Sequence, residues 1–441
     1  MMKRGRKTRD GFHQTNFILM KRIFRFFSLF FLLLCSQSQF AQNIYPGAYG
    51  FGTQSGGAYA GDSIPAVLFV TSLDDNGEGS LRYALSCDYP RIIIFNVSGT
   101  IRLAGALFIK EPCVFIAGQS APGKGISVTG APVIVNTHDV LIQDIRFRLG
   151  SAYPRKSDCV SITGTLHDVY NVVFDHCSFG FGLDENIGIL NSGPGITISN
   201  SIIGYGLHKF EHSCGLLAMN SEKISLIGNI FAFNHDRNPN IRGDTKDVEI
   251  LNNLIYNSAS HAIYLGSRGP DNSPVNVLIE GNIYVTGADN MNRYLLSVHQ
   301  DVADSLNVSW HKNLTFHETK VFKGIREQVF DQSGRFNPVD PGPFPASDKE
   351  LIALDKLEQI LLHNSGARAH NRDGVDSLLI ANIMNRSGKI ISVESELNIQ
   401  SELPVMNEGF VLPDDPHHTR ADGFTNLQHY LQELLLVKSQ P

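Results

Sequence analysis

A short phrase of apolar and polar positions recurs along the middle of the chain. It is first legible from Ile142 to Phe147 and returns at Phe174 to Phe179, Ile198 to Ile202, Leu226 to Ile230, Ile250 to Leu254 and Ile279 to Ile283. Successive copies lie roughly 24 to 32 residues apart, the spacing expected of a repeat array. A strand of this length cannot bury its apolar face alone, so each copy must stack on the next to make one continuous core. Gly and Asn separate the copies, and no helix-length amphipathic run interrupts them. The pattern therefore predicts an all-β solenoid, a right-handed single-stranded parallel β-helix, rather than a leucine-rich or helical repeat.

Asn229, Asn253, Asn282 and Asn313 occupy the same place in consecutive copies. An asparagine at a bend tolerates the left-handed backbone and bonds its neighbours, so these four are read as a structural ladder. Ahead of the repeats, Ala48 to Gly61 is glycine-rich, and Ala66–Thr71, Arg91–Val97 and Val114–Ala117 are strand-like opening turns. Beyond about residue 345 the pattern changes, with amphipathic helices expected at Asp348–Leu362 and Thr425–Leu436. The expected division is an extension with leader at 1–41, a β-helix at 42–345 and a short, partly helical capping region at 346–441.

Within that first segment, Lys21, Arg22 and Arg25 precede an apolar run from Phe26 to Leu34 and a polar stretch ending near Ala41. This is the layout of a secretory signal peptide, read as cleaved near Ala41, with lipoprotein processing at Cys35 the alternative. The expected location is outside the cytoplasm, whether medium, periplasm or outer surface. No later run of 18 apolar residues suggests a membrane span. The chain is 42% hydrophobic and 18% charged with a formal net charge of -6, which argues against nucleic-acid binding through bulk charge. A monomer is expected. Beyond Cys35, the cysteines at 87, 113, 159, 177 and 214 are scattered without a C-x-x-C pair, and read as small core residues.

Chemistry-bearing residues fall into two sets. Asp158, Asp175 and the pair Asp184-Glu185 are carboxylates that successive turns would bring near one another, since neighbouring strands sit about 4.8 Å apart. Asp158 with Asp184 and Glu185 suits a calcium ion, which takes six to eight oxygens in irregular geometry, while Asp175 is assigned a structural role. Lys209, Arg237 and Arg242 form a basic set. In Arg237-Asn238-Pro239-Asn240-Ile241-Arg242, proline fixes φ and removes a donor, so regular strand is not expected to run through it and both guanidinium groups can face one surface. Together the sets suggest a groove for an anionic polymer bridged through calcium. His208, His212 and His235 are nearby and read as hydrogen-bonded wall residues.

Asp175-His176-Cys177-Ser178-Phe179, Asp158 to Ile162, and Arg237-x-Pro239-x-x-Arg242 followed by Gly243 resemble the pectate lyase family, polysaccharide lyase family 1, in a secreted bacterial form. Pro46 to Gly52, Asp74 to Arg82, and Gly366 to Asp376 are similar to the same group, so the resemblance spans about residues 45–395. It implies a parallel β-helix and calcium-dependent β-elimination of α-1,4-linked polygalacturonate. By position, Arg237 would be the base, Arg242 and Lys209 would bind substrate, and Asp158 and Asp184 would hold calcium. One departure stands out: Gly188 occupies the place where relatives carry a further acidic ligand, and Glu185 is the expected substitute. Two other classes compete: a noncatalytic uronate-binding β-helix, and a β-helix hydrolase, which needs paired carboxylates flanking the scissile bond.

Overall fold

The computed structural model describes residues 43–437 apart from short segments at 270–273, 292–293, 301–305, 318–319, 325–328, 331–335, 341, 343, 345–346, 348–349 and 400–401. The expected leader and Cys35 lie outside the described residues. Among these residues the strands form three long sheets of 11, 9 and 11 members, and successive turns of chain add one strand to each. One turn reads Val172–Asp175, Ser178–Gly180, Glu185–Leu190; the next reads Pro194–Ser199, Ile202–Gly204, Cys214–Met219. Pairing between turns is parallel, and the expected β-helix is what forms.

The repeat phrase maps onto one inward column. Ile142 pairs with Phe174, Phe174 with Ile198, Ile198 with Leu226, Leu226 with Ile250 and Ile250 with Ile279. All six side chains are fully buried. Each contributes about 1.5–3 kcal/mol of burial, so the register that stacks them is strongly preferred over any slip. The asparagine ladder is present and bonded at every step: the Asn229, Asn253 and Asn282 backbone N–H groups donate to Asn253, Asn282 and Asn313 Oδ1 at 2.9 Å each. The left-handed backbone falls one residue earlier than expected, at Gly228, Asn252, Gly281 and Lys312. The preceding residue makes the bend, which frees each ladder amide to bond up and down the stack.

Three tail helices, α1 (Leu354–Asn364), α2 (Gly374–Met384) and α3 (Asn426–Val437), pack on the solenoid. They lie along its flank rather than over its end. α3 covers an outward apolar strip, Ile92, Ile94, Phe115, Leu141 and Val173, with Leu427 and Leu431, whereas the buried side chains of α1 and α2, such as Leu357 and Leu379, join the main core. The start of α2 is tied down by charge: Arg148 bonds Asp376, Ser178 Oγ donates to Asp376 Oδ2 (2.7 Å), and Arg368 Nε lies 3.2 Å from Asp144 Oδ2. All of these groups are buried.

Asp175 has the structural role expected of it. It is buried, accepts from Ser199 Oγ (2.9 Å), Asn200 Nδ2 (2.8 Å) and Gln143 Nε2 (3.0 Å), and lies 2.9 Å from His176 Nδ1. Tyr49 of the N-terminal segment donates its hydroxyl to Asn200 Oδ1, which extends the network to the opening turns. Burial raises the Asp175 pKa, but His176 and the donors outweigh it and hold the group down to about 2. A depressed carboxylate stabilises the fold above its unfolded value near 3.8 and loses that contribution as pH falls through about 2. Asp175→Asn is therefore expected to flatten the acid limb of the thermal midpoint. The gap between the two proteins, about 2 kcal/mol above pH 4, should close between pH 4 and 2 in a calorimetric series. An unchanged acid limb would remove Asp175 from this role.

Candidate active site

The candidate site is built at the entry ends of consecutive strands in the nine-stranded sheet: Val160–Thr163, Glu185–Leu190, Cys214–Met219, Asn240–Gly243 and Ile263–Arg268. Glu185 pairs with Cys214, and Cys214 bridges to Asp236 on the following turn. The Cys159 N–H donates to Glu185 O (2.9 Å) and the Cys214 N–H to Asp184 O (3.0 Å). Residues 158, 184–185, 212–214 and 236–237 thus meet although they span about eighty positions of chain.

Asp158, Asp184 and Glu185 each offer a carboxylate oxygen, and the three lie within 4.8 Å of one another. Burial, then the neighbouring charge of Glu185, raise the Asp158 pKa well above the usual carboxylate range. Three carboxylates this close repel unless a cation or proton intervenes, and their hard oxygens and irregular spacing fit calcium. Asp184 is partly neutralised already. Lys156 Nζ lies 3.2 Å and His212 Nε2 2.9 Å from Asp184 Oδ1. Burial raises the Asp184 pKa, but His212 and Lys156 more than reverse this and hold it at about 2; the same contact, with Cys214 and Glu185, lifts His212 to about 11.

Gly188 explains its own departure from the acidic pattern. It pairs with Ser161, and a Cβ added to it would lie 2.3 Å from Asp158 Oδ2. The Asp158 carboxylate, which accepts from Ser161 Oγ (2.8 Å), occupies the room that a side chain at 188 would need.

Arg237 has a left-handed backbone (φ 61°) held from both sides. Its N–H donates to Asp236 Oδ1 (2.7 Å), and that oxygen lies 2.9 Å from His261 Nδ1. On the other side, Asn238 Oδ1 accepts from Asn234 Nδ2 (2.9 Å), whose Oδ1 accepts from Asn186 Nδ2 (3.0 Å). The side chain reaches back two turns so that Nη1 donates to Glu185 Oε1. Burial lowers the Arg237 pKa, yet Cys214 and Glu185 outweigh it and the net direction is upward. Strand resumes at Asn240, directly after Pro239, so Arg242 sits within a strand, contrary to the expectation of irregular chain through the motif. Arg242 is half-buried, pairs with Met219 and donates to Ser267 Oγ (3.1 Å). Lys209 lies on a short turn, His208–Phe210, and its ammonium donates to Ser151 O (2.6 Å) in the loop ahead of Asp158.

The structure thus joins Asp158, Asp184, Glu185 and Arg237 in one cluster, with Arg242 further along the same sheet and Lys209 on the rim. It adds residues that the sequence did not single out: Lys156, Cys214, and the pair Asp236 and His261. His212, read as a wall residue, contacts two of the carboxylates. The one signal for it was its place two residues ahead of Cys214, at the end of the loop entering that strand.

No family model matches the chain. A protein of Aspergillus flavus named "Probable pectate lyase C" is 31% identical over 392 residues, covering 84% of this chain and 86% of that protein. One of the same name from Emericella nidulans is 31% identical over 402 residues, covering 88% of each. A solved pectate lyase bound to hexasaccharide shares the fold, with TM-score 0.50 at 14% identity, over 75% of this chain and 99% of that one. A parallel β-helix with relatives of this kind defines a polysaccharide lyase. The chain belongs to the pectate lyase family. These relatives are fungal, whereas the motifs suggested a bacterial form.

Gly188→Ala should push the Asp158 carboxylate aside at little cost to the backbone, which is not left-handed there. A calcium ion held by the Asp158, Asp184 and Glu185 carboxylates would lose about tenfold or more in affinity, as measured by titration calorimetry. Unchanged affinity would exclude Asp158 as a ligand.

Proposed function

We propose that this protein cleaves α-1,4-linked polygalacturonate by calcium-dependent β-elimination, with Arg237 as the base. The observation that carries this reading is the Arg237 guanidinium drawn onto the Asp158, Asp184 and Glu185 cluster at Glu185. These three carboxylates would hold calcium. When bound, the ion supplies positive charge beside a uronate carboxylate, which acidifies the adjacent C5 proton. Arg237 takes that proton, the electron pair forms the C4–C5 double bond, and the C4–oxygen bond to the leaving sugar breaks. Arg242 and Lys209 are assigned to further substrate carboxylates, with Lys209 acting from the rim. The leader expected at residues 20–41 would deliver the enzyme outside the cytoplasm, where such a polymer is met.

Glu185 holds Arg237 in its charged form, so the base is available only when Glu185 is committed elsewhere. Even for an unperturbed arginine, about one molecule in 10⁵ or fewer is neutral at pH 7. Below the arginine pKa the neutral fraction rises tenfold per pH unit. Turnover should therefore climb toward alkaline pH by roughly that factor until another step limits it.

The same ion pair suits a second reading, a uronate-binding scaffold without turnover in which Arg237 stays locked on Glu185. Purified protein with polygalacturonate and calcium separates them through the ultraviolet absorbance of the unsaturated product. The lyase reading expects a rise that chelator abolishes and that Arg237→Lys reduces by about 10² or more with the fold intact by circular dichroism. Binding without any absorbance rise would favour the scaffold, and new reducing ends without absorbance would favour a hydrolase.

A further inference from the structure

The carboxylate cluster has a second side with different chemistry. Glu185, His212 and Cys214 offer a carboxylate oxygen, an imidazole nitrogen and a thiol sulfur, all within 4.8 Å of one another. His212 Nε2 lies 3.8 Å from Glu185 Oε1. Ligands sharing one zinc ion at 2.0–2.3 Å stand about 3.3–3.8 Å apart, so this set needs only a small contraction. His212 Nε2 is enclosed and turned into the cluster, 2.9 Å from Asp184 Oδ1 and 3.8 Å from Glu185 Oε1. Calcium selects oxygen, and neither sulfur nor imidazole serves it; zinc-class ions prefer that pair.

We propose that Glu185, His212 and Cys214 form a second cation site, for a borderline-soft divalent ion of the zinc class, overlapping the oxygen site through Glu185. Binding forms new sulfur–metal and nitrogen–metal bonds, and the thiol and imidazolium protons leave to solvent. Glu185 serves one ion at a time, so the two sites exclude each other, and Glu185 is drawn from Arg237 in either case. The soft site stands independently of the lyase reading, while the exclusion rests on calcium occupying the oxygen site.

Cobalt(II) is the probe, because its thiolate complexes absorb in the near ultraviolet. The background is full-length protein with Cys35→Ser and Cys87→Ser, since Cys87 is the one cysteine among the described residues that is not buried. One equivalent of cobalt is expected to develop a saturable thiolate-to-metal band. Cys214→Ser should abolish it, and His212→Gln, at the half-exposed rim, should weaken cobalt binding by at least about tenfold. Absence of the band, or its persistence unchanged in both variants, overturns the site. Excess calcium should remove the band; a band that calcium leaves intact overturns the mutual exclusion of the two sites. A cobalt band in a protein whose cobalt-free, calcium-loaded form gives no unsaturated product would refute the lyase reading while leaving the soft site standing.

Discussion

Everything in this molecule depends on the parallel backbone ladder between successive turns. A rung of about 4.8 Å converts separation along the chain into adjacency in space, provided that the register never slips. Two devices hold that register. Stacked Ile, Leu and Phe side chains fill the interior, and the four asparagines bond each turn to the next through both backbone and side chain. Where these act together, residues such as Asp158, Glu185, Cys214 and Asp236 have no choice but to line up.

The candidate site uses that alignment to create an electrostatic conflict. Carboxylates from two turns crowd the entry ends of adjacent strands, answered by Lys156, His212 and Arg237. Each cation neutralises a group that a bound ion would also claim. The arrangement is thus self-compensated in the absence of ligand yet open to exchange, and Gly188 keeps it open by leaving room for Asp158.

The solenoid was legible because its signal is periodic. Every repeat copy read from sequence appears in the stacked column, and Val114–Ala117 forms the strand expected of it. The candidate site was legible wherever residues belong to a strand or its immediate entrance. Asp158, Glu185 and Arg237 are of that kind. His212, two residues ahead of its strand as Asp158 is, was hidden by its residue type, and Lys156 by its place in a crossing, where the ladder no longer dictates position. The lean of Lys209 toward Ser151 was hidden for the same reason. The placement of the tail was hidden differently. It follows from apolar residues on the outside of the solenoid, such as Ile92 and Leu141, and alternation in so short a strand does not reveal that both faces are covered.

The buried pairings between the solenoid and the start of α2 also constrain how the chain comes to be folded. Arg146, Arg148 and Asp144 are laid down early, yet their partners Asp373, Asp376 and Arg368 are over two hundred residues downstream. A buried ion stripped of its partner costs roughly 3–5 kcal/mol, so the turns carrying these groups stay incompletely settled while the nascent polypeptide is still being extended. The segment at 368–376 is then the clasp that locks the turn carrying these groups, and that turn settles only once synthesis has passed it.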